Sequence, residues 1–186
     1  MAFNDTSIKT EELLLEVMQH TAEGRHDKAR EMMIERAGQT RTDLDSQLQL
    51  AAVFQSHADI FASKARKMNR RTHGILLTLR NQALECFTTA AALDASLDGP
   101  VSRAAELALE MGLSAKAFEY ARTAIARNVG NKTAWRVMAS LYESTDEHAK
   151  AAICKNNVAS IEVGNLAAVR VLAAQPSKGI SLDFNA

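Results

Sequence analysis

Aromatic residues make up only 5% of this 186-residue chain, and it holds just 2 prolines, 8 glycines and 2 cysteines. With so few breakers, and a hydrophobic content of 47% carried by aliphatic and small residues, the composition argues against sheets and for long helices. Cys86 and Cys154 stand far apart with no neighbouring Cys or His at ligand spacing, which excludes a disulfide framework and a thiolate metal site. Both read as buried reduced thiols. Charge of one sign is also missing, since 22 basic and 22 acidic residues cancel. No global field therefore draws the protein to nucleic acid or to an anionic membrane. Nor is there an apolar run of the roughly 18 residues that a bilayer span requires. The start, Met1-Ala2-Phe3-Asn4-Asp5, lacks the basic and apolar regions of a secretory signal, so a cytoplasmic protein with no membrane partner is expected.

Catalytic signatures are absent as well: no Gly-rich phosphate loop, paired-histidine zinc helix, calcium loop or nucleophile elbow occurs. His20 and His26 lie six residues apart across Gly24, and His57 and Asp59 project in different helical directions. No catalytic residue, metal ligand or cofactor is assigned, and the expected activity is non-enzymatic.

What is present is helical periodicity. A helix is expected from Thr6 to Glu23, closed by Gly24, and another from His26 to Ala37 with Gly38 as its cap. Thr42 and Asp45 have the spacing of a capping box, and the apolar stripe they open runs through Leu44, Leu48, Ala51, Phe54, Ala58 and Phe61 to Met68. Residues Asn69 to Gly74 interrupt it before a second long helix, which the Asp98-Gly99-Pro100 signal stops. Shorter helices follow over Val101–Met111, Ser114–Arg127 with Ser114 as N-cap, Lys132–Ser144, Asp146–Val163 and Asn165–Ala174. Pro176 ends the helical part, leaving 177–186 as an extended tail.

A fixed period runs through the later helices. Ala83, Ala117 and Ala151 are spaced by 34 residues; Ala90, Ala124 and Val158 repeat seven positions beyond them, and Ala95, Val129 and Val163 twelve beyond. Upstream of Ala151, the spacing of Trp135, Met138, Ala139 and Tyr142 supplies large, medium, small and aromatic positions; Val101, Ala104, Ala105, Ala108, Gly112 and Ala117 precede them in the same frame. These residues resemble the tetratricopeptide repeat, most closely over Val101–Val163 and more loosely over Leu13–Arg36. The resemblance implies an all-α fold of stacked antiparallel helix hairpins, a right-handed α-solenoid. Residues 1–176 would be one domain, with an enlarged irregular hairpin over 43–96 and a capping helix over 165–174. Small residues at the crossings let helix axes approach to about 8–10 Å. Cys86 and Cys154 fall at the same repeat position two units apart, which implies a separation of at least about 16 Å and no bridge between them.

The resemblance also implies a function, the binding of a peptide or helix of another protein, and an inner surface formed by the first helices of successive units. In this frame that surface presents Ser102, Glu106, Arg136, Ser140, Glu143 and Arg170. The Lys and Asn pair that similar chaperone-binding repeats use on C-terminal peptides is missing. A homo-oligomer through the uncapped end of the stack is a further association that the pattern allows. A second reading comes from charge. No acidic residue occurs between Asp59 and Glu85, while Lys64, Arg66, Lys67, Arg70, Arg71 and Arg80 all do. Such a cluster suits nucleic acid or a phosphorylated or acidic ligand, but no aromatics are interleaved for base stacking, and a solvated helix end whose basic residues complement the C-terminal dipole near Arg70 is the preferred explanation.

Overall fold

The computed structural model describes residues 12–13, 15–21, 23–64 and 70–170. The expected helix before residue 12, the basic positions 66–67 and the tail from 171 onwards lie outside them. Every regular element among the described residues is helical: α1 (helical at 12–13 and 15–21), α2 (His26–Gln39), α3 (Leu44–Lys64), α4 (Arg70–Leu93), α5 (Gly99–Glu110), α6 (Ser114–Arg127), α7 (Lys132–Ser144), α8 (His148–Glu162) and a 3-10 turn at Leu166–Ala168. The chain forms two compact units that meet in sequence at Asp94 and Ala95.

In the first unit, α3 and α4 are 21 and 24 residues long, against 12 to 15 for the helices of the second. They make the enlarged hairpin, with Leu50, Phe54 and Ala58 of α3 and Leu79 and Ala83 of α4 fully buried, and α2 packs on both. Three local expectations shift here. The side chain that caps α3 is Asp43, not Thr42: its Oδ2 accepts from the Ser46 N–H at 3.2 Å. Asp43 stands one residue before the helix, where a carboxylate meets the free amides of the first turn. The described part of the expected break at Asn69–Gly74 is helical, because residues from Arg70 onwards belong to α4, which carries Gly74 within it; Asn69 lies outside the described residues. An isolated glycine in a long apolar pattern costs helix only about 1 kcal/mol, and Thr78 Oγ1 donates to the Gly74 carbonyl at 2.9 Å. Arg70, expected near a helix end, is the first described residue of α4.

The second unit is built from α5–α6 and α7–α8, with α7 packed against α5, α6 and α8. The close approach rests on alanine: Ala104, Ala105 and Ala108 of α5, Ala117 and Ala121 of α6 and Ala134 of α7 are all fully buried. Trp135 and Tyr142 fill the adjoining space at 1% exposure. Trp135 Nε1 donates to the Val129 carbonyl at 2.8 Å, and Tyr142 meets Phe118 edge to face at 6.3 Å between centroids. The repeat positions in Val101–Ala151 other than the exposed turn residue Gly112 are thus the core, and of the rows seven and twelve residues beyond, Ala124 is buried while Val129 is only half-buried and Val163 is exposed. Val129 and Val163 follow the ends of α6 and α8, so their recurrence marks turns and not a buried layer.

Both hairpins of this unit turn in the same way. After α5, Gly112 has φ of 74°, its N–H bonds to Leu109 O at 3.0 Å and the Leu113 N–H reaches Ala108 O at 2.9 Å. After α7, Asp146 has φ of 57°, with Asp146 N–H to Glu143 O at 3.2 Å and Glu147 N–H to Tyr142 O at 2.9 Å. This is the paired bond of a Schellman end, in which a left-handed residue satisfies the last carbonyls of the helix. The two left-handed residues are one repeat apart, 34 positions, since 146 less 112 is 34. Gly24 and Gly164 close α1 and α8 alike. Leu113, not Ser114, precedes α6, and no side chain caps that helix.

Two substitutions test this frame by thermal unfolding. Asp146→Gly removes a left-handed non-glycine residue and is expected to stabilise the chain by about 0.5–1 kcal/mol, whereas Trp135→Ala should cost about 3–5 kcal/mol. A lowered melting temperature for the first, or an unchanged one for the second, would show that the turn or the core has been misread.

Candidate functional site

α7 is almost wholly enclosed. Ala134, Trp135, Val137, Met138, Ala139, Leu141 and Tyr142 are buried, so what it offers to solvent is one narrow stripe through Lys132, Arg136, Ser140 and Glu143. The spacing of four, four and three residues is that of one helical face. Its N-terminus is fixed by a polar relay that reaches back one repeat. Asn131 Oδ1 accepts from Ala134 N–H at 2.9 Å, while Asn131 Nδ2 and Asn128 Nδ2 donate to Asp98 Oδ2 at 2.5 and 3.1 Å. Asp98 precedes α5 without capping it through its side chain, and Pro100 enters the first turn of that helix, where a missing N–H costs nothing. α4 has already ended at Leu93, so the expected stop signal at 98–100 is instead the start of α5.

The stripe is held along one side by α8. Arg136 pairs with Glu162 at 2.9 Å and Glu143 with Lys155 at 2.5 Å. All four side chains are well exposed, so each pair adds well under 1 kcal/mol to stability; their effect is to fix where two opposite charges sit, with Ser140 between them. Glu106, on α5, is half-buried and takes Arg103 Nη1 at 2.5 Å. Two of the six expected surface residues are placed differently. Ser102 is buried, its Oγ donating to Gly99 O at 2.9 Å, because it faces inward from the first turn of α5. Arg170 is not on a helix: Gly164 reverses the chain after α8, one 3-10 turn follows, and Val169 is extended with φ of −69° and ψ of 124°. In place of a capping helix at 165–174, the described part of that segment is a turn and an extended pair of residues.

Glu162, Lys155 and Asn157 are the site residues that reasoning from the pattern missed. The first two needed the pairing of α7 with α8. Asn157 left a readable signal, a polar residue three positions from Cys154 on the buried side of α8. Of the basic cluster, the backbone puts Lys64 at the end of α3 and Arg70 and Arg71 in the first turn of α4; Arg80 is half-buried. His57 is buried, with Nδ1 at 3.2 Å from Thr21 Oγ1, joining α1 to α3.

In the first unit, Ile34 and Gly38 of α2, Gln47 of α3 and Gln82 and Cys86 of α4 line a cavity of about 250 Å³, small beside the roughly 300–1,000 Å³ of ligand pockets. Gln47 Nε2 is already committed to Ala37 O and Thr40 O at 3.1 and 3.0 Å, and Arg41 to Glu85 at 2.8 Å, so the walls offer little to a ligand. Both cysteines are free and buried, and burial pushes each thiol from an ordinary 9.0 up to about 12. Among the described residues no three His, Cys, Asp or Glu side chains converge on a metal position, and no helix is long and apolar enough to cross a membrane.

The second unit is a tetratricopeptide-like pair of hairpins, and the described chain as a whole is an all-helical protein of paired helices. No family model and no curated protein matches the sequence. Among solved structures, the chain is similar to a crystal structure of MamA, at 14% identity over 78% of this chain and 94% of that one with a TM-score of 0.45. It is also similar to MamA 41-end from Desulfovibrio magneticus RS-1, at 15% identity over 88% and 98% with a TM-score of 0.44. A third likeness is to YrrB, described as a TPR protein with an unusual peptide-binding site, at 13% identity over 89% and 96% with a TM-score of 0.43. These superpositions are loose, and the assignment of hairpins rests on the turns and core of α5–α8.

The raised thiols set a pH dependence. A group whose folded pKa exceeds its unfolded value stabilises the fold below the unfolded value and loses that contribution as pH rises. Stability is therefore expected to fall from pH 9 towards 12 as the two thiols are drawn to ionise. At pH 8 a thiol-reactive dye should label the native chain slowly and both cysteines at once on unfolding; fast native labelling would contradict the burial of both.

Proposed function

We propose that the chain is a non-catalytic adaptor of the cytoplasm that binds a peptide or helix of another protein along the exposed stripe of α7. The observation that supports this reading is the stripe itself: a helix buried on every other side presents Arg136, Ser140 and Glu143 in a row, with both charges already held by Glu162 and Lys155. Side chains that are ordered before binding lose less entropy on association. A partner carboxylate would replace Glu162 on Arg136, and a partner cation would replace Lys155 on Glu143. Glu106 extends the same polar character onto α5. Arg170, in an extended segment, is not part of this row.

A second reading is favoured by one placement. Arg70 and Arg71 occupy the first turn of α4, which has no acidic residue, and the helix dipole there is already positive. A nucleic-acid or phosphorylated ligand would suit such a pair. Its binding would weaken steeply with salt and would depend on Arg66, Arg70 and Arg71.

Affinity capture from the native host with the chain and with Arg136→Glu, Glu143→Lys separates these readings. The adaptor reading expects the reversal to cut partner recovery by at least about tenfold while shifting stability by under about 1 kcal/mol. Equal recovery by both proteins would remove the α7 stripe as the site. Loss of capture on neutralising Arg66, Arg70 and Arg71 instead would favour the anionic ligand.

A further inference from the structure

Two stretches of the sequence carry the same residues at five of ten positions: Asn131 and Asn165, Ala134 and Ala168, Arg136 and Arg170, Val137 and Val171, Ala139 and Ala173. The first stretch opens α7. The second, where it is described, does not form the corresponding helix, and the reason lies in α8. Asn157 is 2% exposed; its Nδ2 donates to Arg170 O at 2.8 Å and its Oδ1 accepts from Arg170 N–H at 2.9 Å. One side-chain amide thus takes both backbone groups of a single residue and asks nothing of its side chain. A segment whose residues copy a helix while its described backbone turns at Gly164 and is clamped at Arg170 has two competing arrangements, and such local conflict marks places where a chain is made to change.

We propose that this segment is exchanged between two copies of the chain. Gly164 opens, α8 runs on through Leu166–Ala168, and Val169–Arg170 of each copy docks on Asn157 of the other. Three observations favour a second copy as the occupant. The segment is a polypeptide already shown to fit the clamp, and the two hydrogen bonds are the same in the exchanged state. The hinge is flanked by apolar side chains that a single copy leaves open, Val163 at 79% and Leu166 at 52% exposure, and pairing would cover them. Leu166, Ala167 and Ala168 are strong helix formers, so the opened chain has a regular path. As a helix, the 13 residues from Asn157 to Arg170 span about 20 Å, which lets two antiparallel α8 helices bring each Asn157 to the other copy's Arg170. The α7 stripe plays no part in this exchange.

The hinge gives a test that pushes in both directions. A Cβ added at Gly164 meets nothing within 4 Å, but its φ of 75° is one that alanine resists. Gly164→Ala therefore penalises the closed turn without a clash, by a factor of about 5 per copy and about 25 for a dimer with two hinges. Sedimentation velocity over a range of concentrations should show a monomer–dimer equilibrium whose Kd falls by about that factor in Gly164→Ala. Because the Asn157 bonds are the same in the closed and exchanged states, adding Asn157→Ala to that variant should lower the stability of both and leave the Kd unchanged. Should Asn157→Ala fail to fold, Gly164→Ala with Arg170→Pro serves instead, since proline removes the N–H that Asn157 Oδ1 accepts. A Gly164→Ala chain that is helical by circular dichroism yet no more dimeric than the native one overturns the proposal. A dimer that loss of the clamp abolishes while the closed monomer stays folded does so too. Either result would leave the adaptor reading where its own capture experiment puts it.

Discussion

Alanine at the helix crossings is the constraint on which the second unit depends. Ala104, Ala105 and Ala108 of α5, Ala117, Ala121 and Ala124 of α6 and Ala134 of α7 carry no accessible surface, and only side chains of that size let three helix backbones close together. That proximity makes the rest possible. It sets Phe118 against Tyr142 and leaves a Trp135-shaped space beside the turn, where the indole N–H finds the Val129 carbonyl. It also encloses α7 so fully that its solvent-facing residues are reduced to one row. The candidate site is a by-product of tight packing, the polar remainder of a helix that is otherwise core.

Residues that enter the core by size and spacing were legible in the sequence for that reason. Trp135, Met138, Ala139 and Tyr142 repeat a size order that has one packing solution, and the 34-residue interval found in Ala117 and Ala151 reappears in the backbone as the left-handed residues Gly112 and Asp146. The long hairpin was legible as a stripe too long for one repeat. Less was readable at helix ends, where a single side chain decides. Thr42 and Asp43 are both good caps, and only the backbone path selects Asp43; Gly74 reads as a breaker and lies inside a helix strong enough to carry it. Ser102 shows the limit for surfaces, since a serine near a helix start satisfies itself on Gly99 and turns inward. At 165–170 the residues favour α-helix, yet the backbone makes a 3-10 turn and then an extended Val169, with Arg170 held by a contact from thirteen positions earlier.

The charges tell a related story. Among the described residues several surface charges are occupied by one another, as in Arg136 with Glu162, Glu143 with Lys155 and Arg41 with Glu85. Exposed pairs of this kind contribute little to folding. They define instead which charges stand where, and any partner must compete with a neighbour already in place. That favours recognition by matched pattern over attraction by excess charge.

The relay from Asp98 to Asn131 has a further meaning when counted along the chain. It joins the residue before one first helix to the residue before the next, 33 positions later, and the hairpin contacts around it are no longer in range. The second unit is therefore held together by links that each reach about one repeat and no further, so its stability is close to a sum over adjacent hairpins. A chain made this way can lengthen or shorten by whole units and rebuild the same junction each time. Asn165, one further repeat along from Asn131, already stands where such a junction would begin.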